Sequence, residues 1–299
     1  MIEVKRRNWT SQARLYSQSD AIVVSVPKSG RTWLRVFLYS YFCRSVNREF
    51  TISNRKLAGT GAPKVMFTHD LCGYVRNRKL KFRLLGKTLI PAHASRTKPI
   101  LLLVRDPRDV VVSYFFQKTR RGSKYRGDLP ETIRHPRFGV NSIVEILNTW
   151  MAEWGTRKDF KVIRYEDCRI HTEAAFREVL TFIGIEAIDE GSFRHALQFS
   201  SFENMKRMES ERQFKNKILS AGNVEDPDSY KVRRGIVGGF KDYLGPADIH
   251  YMNEALTRLD QRFGYGPEAK DRASIQNPSS EETDMRPEII RQMIKAGTP

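Results

Sequence analysis

The stretch VSVPKSGRTWLRVFL, residues 24–38, decides the fold of this 299-residue chain. A β-branched apolar run ends at Pro27, a short turn carries Lys28, Ser29 and Gly30, and a bulky apolar segment follows directly. This order predicts a strand, a tight turn and a helix whose first backbone amides point at a bound anion. The usual nucleotide loop, G-x-x-x-x-G-K-[ST], has its lysine after the second glycine. Here the lysine precedes the only glycine by two residues, so this stretch alone leaves the anion open.

The alternation of strand and helix continues along the chain. Continuous apolar runs predict buried strands over residues 21–26 (AIVVSV), 100–104 (ILLLV) and 160–165 (FKVIRY). Helices are predicted over residues 32–43, from Pro107 after an Asp106 cap, from an Asn141 cap to about residue 154, and from a Thr172 cap to residue 182. This pattern indicates an α/β fold with a central parallel sheet flanked by helices.

The domain organisation is predicted to be simple. We expect one domain over residues 20–266, an N-terminal extension over residues 1–19, and a polar C-terminal tail over residues 267–299. Within the tail, residues 287–296 have the pattern of a short helix. No internal repeat is evident.

The charge balance limits the classes of partner. The chain has 52 Lys and Arg against 34 Asp and Glu, a net charge of +18. Such a surface attracts nucleic acid, an anionic membrane or a polyanionic small molecule. No Asp or Glu occurs over residues 71–105, where eight Lys and Arg side chains precede Ile100. This basic interval is either a solvated loop or a hint of an acidic or already sulfated acceptor, or of an anionic membrane surface.

Apolar run lengths and cysteine usage suggest the compartment. The longest apolar runs are well below the roughly 20 residues that a membrane span needs, and the first residues lack the apolar region of a secretory signal. The three cysteines, Cys43, Cys72 and Cys168, have neither metal-site nor disulfide spacing. We therefore expect a cytoplasmic protein without a transmembrane segment and without a metal. Contact with a membrane surface and the oligomeric state stay open.

Three separated segments place cations or hydroxyls near a predicted strand end or a glycine turn. They are residues 28–33 (KSGRTW), 105–113 (RDPRDVVVS) and 233–239 (RRGIVGG). In open α/β sheets, ligands lie beyond the carboxyl ends of the strands, so the segments could converge on one ligand with two anionic ends. Loop amides, Lys28 and Thr32 would hold one phosphate. Arginine donates two parallel hydrogen bonds to phosphate, and the second phosphate would contact Arg105, Ser113, Arg233 and Arg234.

The ordered motifs of the chain resemble those of sulfotransferases that use 3′-phosphoadenosine 5′-phosphosulfate (PAPS). The family's loop P-K-S-G-T-T-W corresponds to PKSGRTW, its segment R-N-x-x-D-V-x-V-S to RDPRDVVVS, and its segment R-K-G-x-x-G-D-W-K to RRGIVGGFK. Its tyrosine before E-D corresponds to residues 165–167, and its T-S-F to the SSF of residues 200–202. Order and rough spacing agree over about residues 20–265. The resemblance implies the P-loop-like sulfotransferase fold, with PAPS as the donor.

The resemblance also implies a role for each matching residue. Lys28 would stabilise charge on the oxygen that bridges phosphorus and sulfur during a loose in-line transfer, which accounts for its early position. His69, in VMFTHD, lies where the family has the K-T-H base and would accept the proton of the acceptor hydroxyl or amine. Trp33 would stack on the adenine. The donor-binding residues implied are Lys28, Ser29, Gly30, Arg31, Thr32, Trp33, Arg105, Ser113, Tyr165, Ser200, Phe202, Arg233, Arg234 and Gly235.

The sequence departs from the family pattern at several positions. Arg31 replaces a loop threonine, Phe67 replaces the lysine of K-T-H, and Gly239-Phe240 replaces D-W. Residues 242–247 (DYLGPA) stand where cytosolic members have a dimer contact. The acceptor is expected to be a small molecule, a glycan or a lipid with a hydroxyl, and no nucleic-acid partner is expected.

Two alternative functions remain open from the sequence. A P-loop kinase would use ATP, but the chain lacks the G-K-[ST] segment and an obvious Mg²⁺ carboxylate. A basic nucleic-acid or membrane-binding module would account for the charge, but it would not account for five motifs in order. Such a module would bind with a steep dependence on salt.

Overall fold

A four-stranded parallel sheet forms the centre of the computed structural model, which describes residues 15–70, 97–121, 125–213 and 219–266. The strands are β1 (Ala21–Val24), β2 (Val65–Thr68), β3 (Ile100–Val104) and β4 (Phe160–Arg164). They lie in the order β2-β1-β3-β4, and every neighbouring pair is parallel. The carboxyl ends of all four strands therefore meet at one edge of the sheet, and the predicted α/β class is confirmed.

Helices cover both faces of this sheet. Their bounds are α1 (Arg31–Ser45), α2 (Pro107–Arg120), α3 (Leu129–Arg134), α4 (Val140–Trp154), α5 (Tyr165–Ile170), α6 (Thr172–Phe182), α7 (Glu190–Phe199), α8 (Phe202–Ser210) and α9 (Pro246–Leu256). Within the described ranges, no helix is both long enough and apolar enough to cross a bilayer.

The apolar strands are continuous because each face of the sheet has its own core. Ile22 and Val24 pack in a cluster with α2, α4 and α9, whereas Ala21 and Val23 pack in a second cluster with α1, α6 and α7. Alternate residues of a strand point to opposite faces, so a strand covered on both sides needs an apolar residue at every position. Every residue of β1 and β3 is buried accordingly.

The predicted strand ends need small corrections. β1 ends at Val24 rather than at Val26, and β4 ends at Arg164 rather than at residue 165. Tyr165 instead begins α5. An apolar run marks where a strand passes through the core, but the last ladder pairing decides where the strand ends.

The helix starts were predicted with mixed success. Asp106 is the cap of α2, because its carboxylate accepts a hydrogen bond from the Arg108 N–H at 2.8 Å. The Asn141 cap is wrong: α4 begins after Gly139, and the Asn141 amide donates to another helix. The Thr172 cap is also wrong, since the preceding residue is the cap and the Thr172 hydroxyl donates backward to a carbonyl of α5.

Several predicted segments lie wholly or partly outside the described residues. They are the first 14 residues of the N-terminal extension, most of the basic interval, and the C-terminal tail with its short helix. The domain bounds at residues 20 and 266 therefore stay a prediction.

Candidate active site

A cleft of about 340 Å³ contains residues that follow all four strands. His69 comes just after β2, and Tyr165 comes directly after β4. The three predicted segments all contribute to the walls. The predicted site residues that line the cleft are Lys28, Gly30, Arg31, Thr32, Trp33, His69, Arg105, Ser113, Tyr165, Phe202, Arg233, Arg234 and Gly235.

The cleft is strongly cationic. Seven Lys and Arg side chains line it, whereas Asp109 is the only carboxylate among the lining residues that the structure describes. In a partly enclosed site, cations are held apart from bulk water and attract an anion more strongly than on an open surface. The wall composition therefore suits a ligand with several negative charges.

The turn after β1 forms one end of the cleft. Gly30 is the cap of α1 with φ of 91°, and neither a side-chain cap nor an acidic residue neutralises the first turn of this helix. A Cβ atom on Gly30 would lie 2.6 Å from Cδ2 of Tyr165, so only glycine allows this approach. Lys28 also has a left-handed backbone, with φ of 78°. The helix N-terminus and the lysine together suit the binding of an anion.

Ser29 lies behind this turn rather than on the cleft wall. Its side chain is fully buried, and its hydroxyl has no hydrogen-bond partner among the described residues. A buried hydroxyl without a partner costs free energy unless a ligand or a water satisfies it. The predicted donor contact of Ser29 therefore stays a prediction.

The electrostatic surroundings of Lys28 disfavour its charged form. Burial, followed by the positive charges of Arg121, Arg105 and Lys231, lowers the pKa of Lys28 to about 7. Glu209 opposes this effect. An anion bound at the turn would reverse the shift, because an opposite charge within hydrogen-bonding distance favours the ammonium.

Arg105 and Asp109 line the cleft at the end of β3 and on α2. The Arg105 guanidinium forms an ion pair with Asp109 at 3.3 Å and lies over the Tyr165 ring, 4.4 Å from its centre. Its buried Nε–H has no partner among the described residues. Asp109 also accepts the N–H groups of Gly238 and Phe240 at 2.9 Å each. It thereby ties α2 to the late glycine segment.

The late glycine segment brings Arg233 and Arg234 to the cleft with partners already in place. Arg233 donates to the Tyr243 hydroxyl at 2.6 Å and pairs with Asp228 at 3.2 Å. Arg234 donates to the same hydroxyl at 3.0 Å and also pairs with an exposed carboxylate. Each guanidinium has five N–H donors, so these contacts orient the arginines and leave further donors for a phosphate.

Only glycine fits at position 235 of this turn. Its φ is 66°, and a Cβ atom there would lie 2.8 Å from the Phe202 ring. The close approach lets the turn pack directly on the aromatic wall of the cleft. This wall also contains Trp33 and Tyr165, whose ring centres are 5.9 Å apart in an edge-on arrangement.

Two differences from the predicted aromatic site stand out. Ser200 does not reach the cleft: it is 1% exposed, and its hydroxyl donates to the Ala196 carbonyl at 2.7 Å. Arg169, which sequence reasoning missed, lies 5.6 Å from the Trp33 ring centre and 5.8 Å from that of Phe202. A guanidinium at such distances can stack with a planar base.

His69 is held in one tautomer. Its Nδ1 lies 2.7 Å from the Ser25 carbonyl oxygen, which can only accept a hydrogen bond. In the neutral ring the proton is therefore on Nδ1, and the basic lone pair is on Nε2. The ring lies on the cleft wall together with Lys28. This arrangement suits a general base.

Sequence reasoning also missed a buried cluster of Arg121, Glu209 and Lys231. Glu209 is fully buried, accepts the Lys231 and Val232 N–H groups at 2.7 and 2.9 Å, and pairs with Arg121 at 3.5 Å. Burial and the Arg121 charge lower the pKa of Lys231 to about 8. In the sequence, these residues stand among many other charges. Only the apolar spacing of Phe202, Met205 and Met208 could have indicated a packed helix there.

Comparisons with known proteins agree with this geometry. The family model described as "Sulfotransferase domain" matches residues 18–264. Cytosolic sulfotransferase 12 of Arabidopsis thaliana is 22% identical over 82% of this chain and 77% of its own length. Sulfotransferase 2A1 of Homo sapiens is 26% identical over 75% and 78%, respectively.

Solved structures support the fold. A mouse sulfotransferase complexed with PAP has a TM-score of 0.54 and 18% identity, covering 80% of this chain and 84% of its own. Retinol dehydratase complexed with retinol and PAP has a TM-score of 0.57 and 17% identity, covering 84% and 85%.

Proposed function

The chain belongs to the sulfotransferase family, since the domain model spans residues 18–264, and from this premise we propose that it transfers a sulfuryl group from PAPS to a hydroxyl or an amine of an acceptor. The observation that carries the proposal is the convergence of three distant segments on one cationic cleft. PAPS has two anionic ends, a 5′-phosphosulfate and a 3′-phosphate, and the cleft has a cationic group of residues for each.

The 5′ end of the donor belongs at the turn after β1. There the amides at the start of α1, Lys28 and Thr32 would bind the phosphosulfate. At the other end, the 3′-phosphate would contact Arg105, Ser113, Arg233, Arg234 and Gly235. Trp33, Tyr165 and Phe202, with Arg169, would enclose the adenine.

The chemistry assigned to Lys28 follows from its position and charge. Its ammonium stabilises negative charge on the oxygen that leaves the sulfuryl group, a charge that is largest in the transition state. Because burial and the neighbouring cations lower its pKa to about 7, the lysine gains its full charge only when the anionic donor is present. We infer a loose in-line transfer in which positioning and charge stabilisation supply most of the catalysis.

His69 is proposed as the base. The Ser25 carbonyl holds its Nδ1–H, so Nε2 would accept the proton of the attacking hydroxyl or amine. The proposal uses no metal.

The class of acceptor and the cellular compartment are proposed from the similarity to known proteins. Retinol dehydratase, a solved structure of similar fold, binds androsterone and PAP in one complex and retinol and PAP in another, and a plant relative is named a cytosolic sulfotransferase. We infer a hydroxyl-bearing small molecule, glycan or lipid as the acceptor, and a cytoplasmic enzyme.

Calorimetric titration with PAP, AMP and ATP tests the donor site at two salt concentrations. We expect PAP to bind at least about 100-fold more tightly than AMP, because the 3′-phosphate adds charge-assisted hydrogen bonds. Tighter binding of ATP than of PAP would favour the alternative function, a P-loop kinase. Equal, weak and steeply salt-dependent binding of all three would favour a general basic surface.

A further inference from the structure

Lys231 adds a cation to the cleft that the proposed donor site does not use. The donor charges are assigned to Lys28 and the loop amides at one end, and to Arg105, Arg233 and Arg234 at the other. Lys231 lines the same cleft and lies near enough to Lys28 for its positive charge to lower the pKa of Lys28. Two partly buried ammonium groups that repel each other are costly unless negative charge lies nearby.

The Lys231 backbone is fixed in place rather than carried on a loose loop. Glu209 accepts N–H groups of both Lys231 and Val232, and the Arg121 guanidinium pairs with the same carboxylate. Arg121 also donates to the Ser220 carbonyl at 2.5 Å. The Arg121 guanidinium therefore forms an ion pair with this buried carboxylate, whose negative charge also raises the pKa of both Lys28 and Lys231. The local excess of positive charge is a built feature of the fold.

The neighbourhood of His69 is cationic as well. Arg31 lines the cleft, and Arg35 lies one helical turn further along α1. The Arg35 guanidinium lies over the ring of Phe67, 5.2 Å from its centre, and Phe67 is two residues before His69. Both arginines lower the pKa of Lys231, so all three belong to one electrostatic cluster. Arg31, Lys231 and His69 line the same cleft, so an acceptor bound beside His69 shares the cleft with two members of this cluster.

We propose that the acceptor carries an anionic group, a carboxylate, phosphate or sulfate, close to the hydroxyl or amine that is sulfated, and that Lys231 and Arg31 bind this group. The inference rests on the proposed function. The phosphosulfate brings about two negative charges to the turn, where the described residues of the cluster comprise four cations, Lys28, Arg31, Arg121 and Lys231, and the one carboxylate of Glu209. Arg35 behind them adds a fifth cation. Charge-assisted hydrogen bonds are the strongest available contacts for such an anion.

A matched pair of phenols tests this inference on the enzyme saturated with PAP, which occupies both donor phosphate sites. We expect 4-hydroxyphenylacetate to bind at least about tenfold more tightly than 4-hydroxyphenylacetamide, a difference of about 1.4 kcal/mol. Lys231→Gln should reduce this preference to less than about threefold. Lys158→Gln removes the same charge from an exposed turn before β4 and should leave the preference unchanged.

The outcomes separate this inference from the proposed function. If PAP itself binds no better than AMP, the donor assignment fails. If PAP binds with the expected preference but the two phenols bind equally, or neither binds, only the anionic acceptor is wrong.

Sulfuryl transfer to both phenols gives a second test. A Lys231→Gln enzyme whose kcat falls equally for both would place Lys231 on the transferred group and overturn the inference.

Discussion

Donor binding should take up protons, because Lys28 is largely neutral in the free enzyme above pH 7. Burial and the charges of Arg121, Arg105 and Lys231 lower its pKa from 10.5 to about 7. The phosphate of PAP replaces that repulsion with attraction, so the pKa must rise on binding. The direction of the proton transfer follows from this rise in pKa. Between the two pKa values the complex holds more protons than the free enzyme, so protons are taken up and affinity falls as pH rises.

The magnitude can be worked out at pH 8. A lysine with a pKa of about 7 is roughly one-tenth protonated there, so full charging on binding consumes about 0.9 proton. Lys231, with a pKa of about 8, adds at most about 0.5 proton. The PAP phosphates contribute little to the proton uptake at pH 8, since their second pKa is about 6. Uptake of about 0.9 to 1.4 protons is expected for the native enzyme.

Calorimetric titration of PAP at pH 8 in two buffers of different ionisation enthalpy measures this uptake. Lys28→Met should reduce it to about 0.5 proton or less, because Lys231 is then the lysine among the described cleft residues whose pKa still lies in this range. Uptake near zero in the native enzyme would mean that Lys28 is already charged before PAP binds. The electrostatic account of the turn would then be wrong.

Three further substitutions test other parts of the site. Gly30→Ala should destabilise the fold by about 1–3 kcal/mol and weaken PAP binding, as seen by thermal unfolding and calorimetry, because φ is 91° and Tyr165 blocks the Cβ. An unchanged melting temperature would contradict this. Glu209→Gln leaves Arg121 buried without its counter-ion, so the free energy of unfolding should fall by about 3 kcal/mol in urea titration. A loss below about 1 kcal/mol would show that the pair contributes little. His69→Ala should lower kcat by about 10²–10⁴-fold while the Kd of PAP stays the same, and near-native turnover would remove His69 as the base.

The parts of the site that the sequence predicted correctly depend on local signals. A proline, a lysine and a glycine mark the turn between β1 and α1, and Asp106 before Pro107 marks the start of α2. Such signals act through backbone conformation within a few residues, so they can be interpreted without knowing the tertiary fold. The alternating cores on both faces explain why uninterrupted apolar runs predicted a central parallel sheet.

The parts that the sequence could not predict depend on long-range contacts. Glu209 is buried because it contacts Arg121, 88 residues away, and the backbone of Lys231. Nothing in its own neighbourhood distinguishes it from an exposed glutamate. Arg169 reaches Trp33 only because α5 packs against α1. The prediction for Ser200 was wrong for a local reason. Its hydroxyl donates a hydrogen bond to a carbonyl at the end of its own helix and does not face the cleft.

The most direct test of the account is a side-by-side transfer assay with [³⁵S]PAPS and [γ-³²P]ATP, using one panel of neutral and anionic phenols. The account predicts that sulfur-35 appears in the acceptor with one PAP formed for each group transferred. It also predicts that Lys28→Met and His69→Ala abolish most of this transfer. Phosphorus-32 in the acceptor, with PAPS left intact, would contradict the central claim that the cleft is built for sulfuryl transfer.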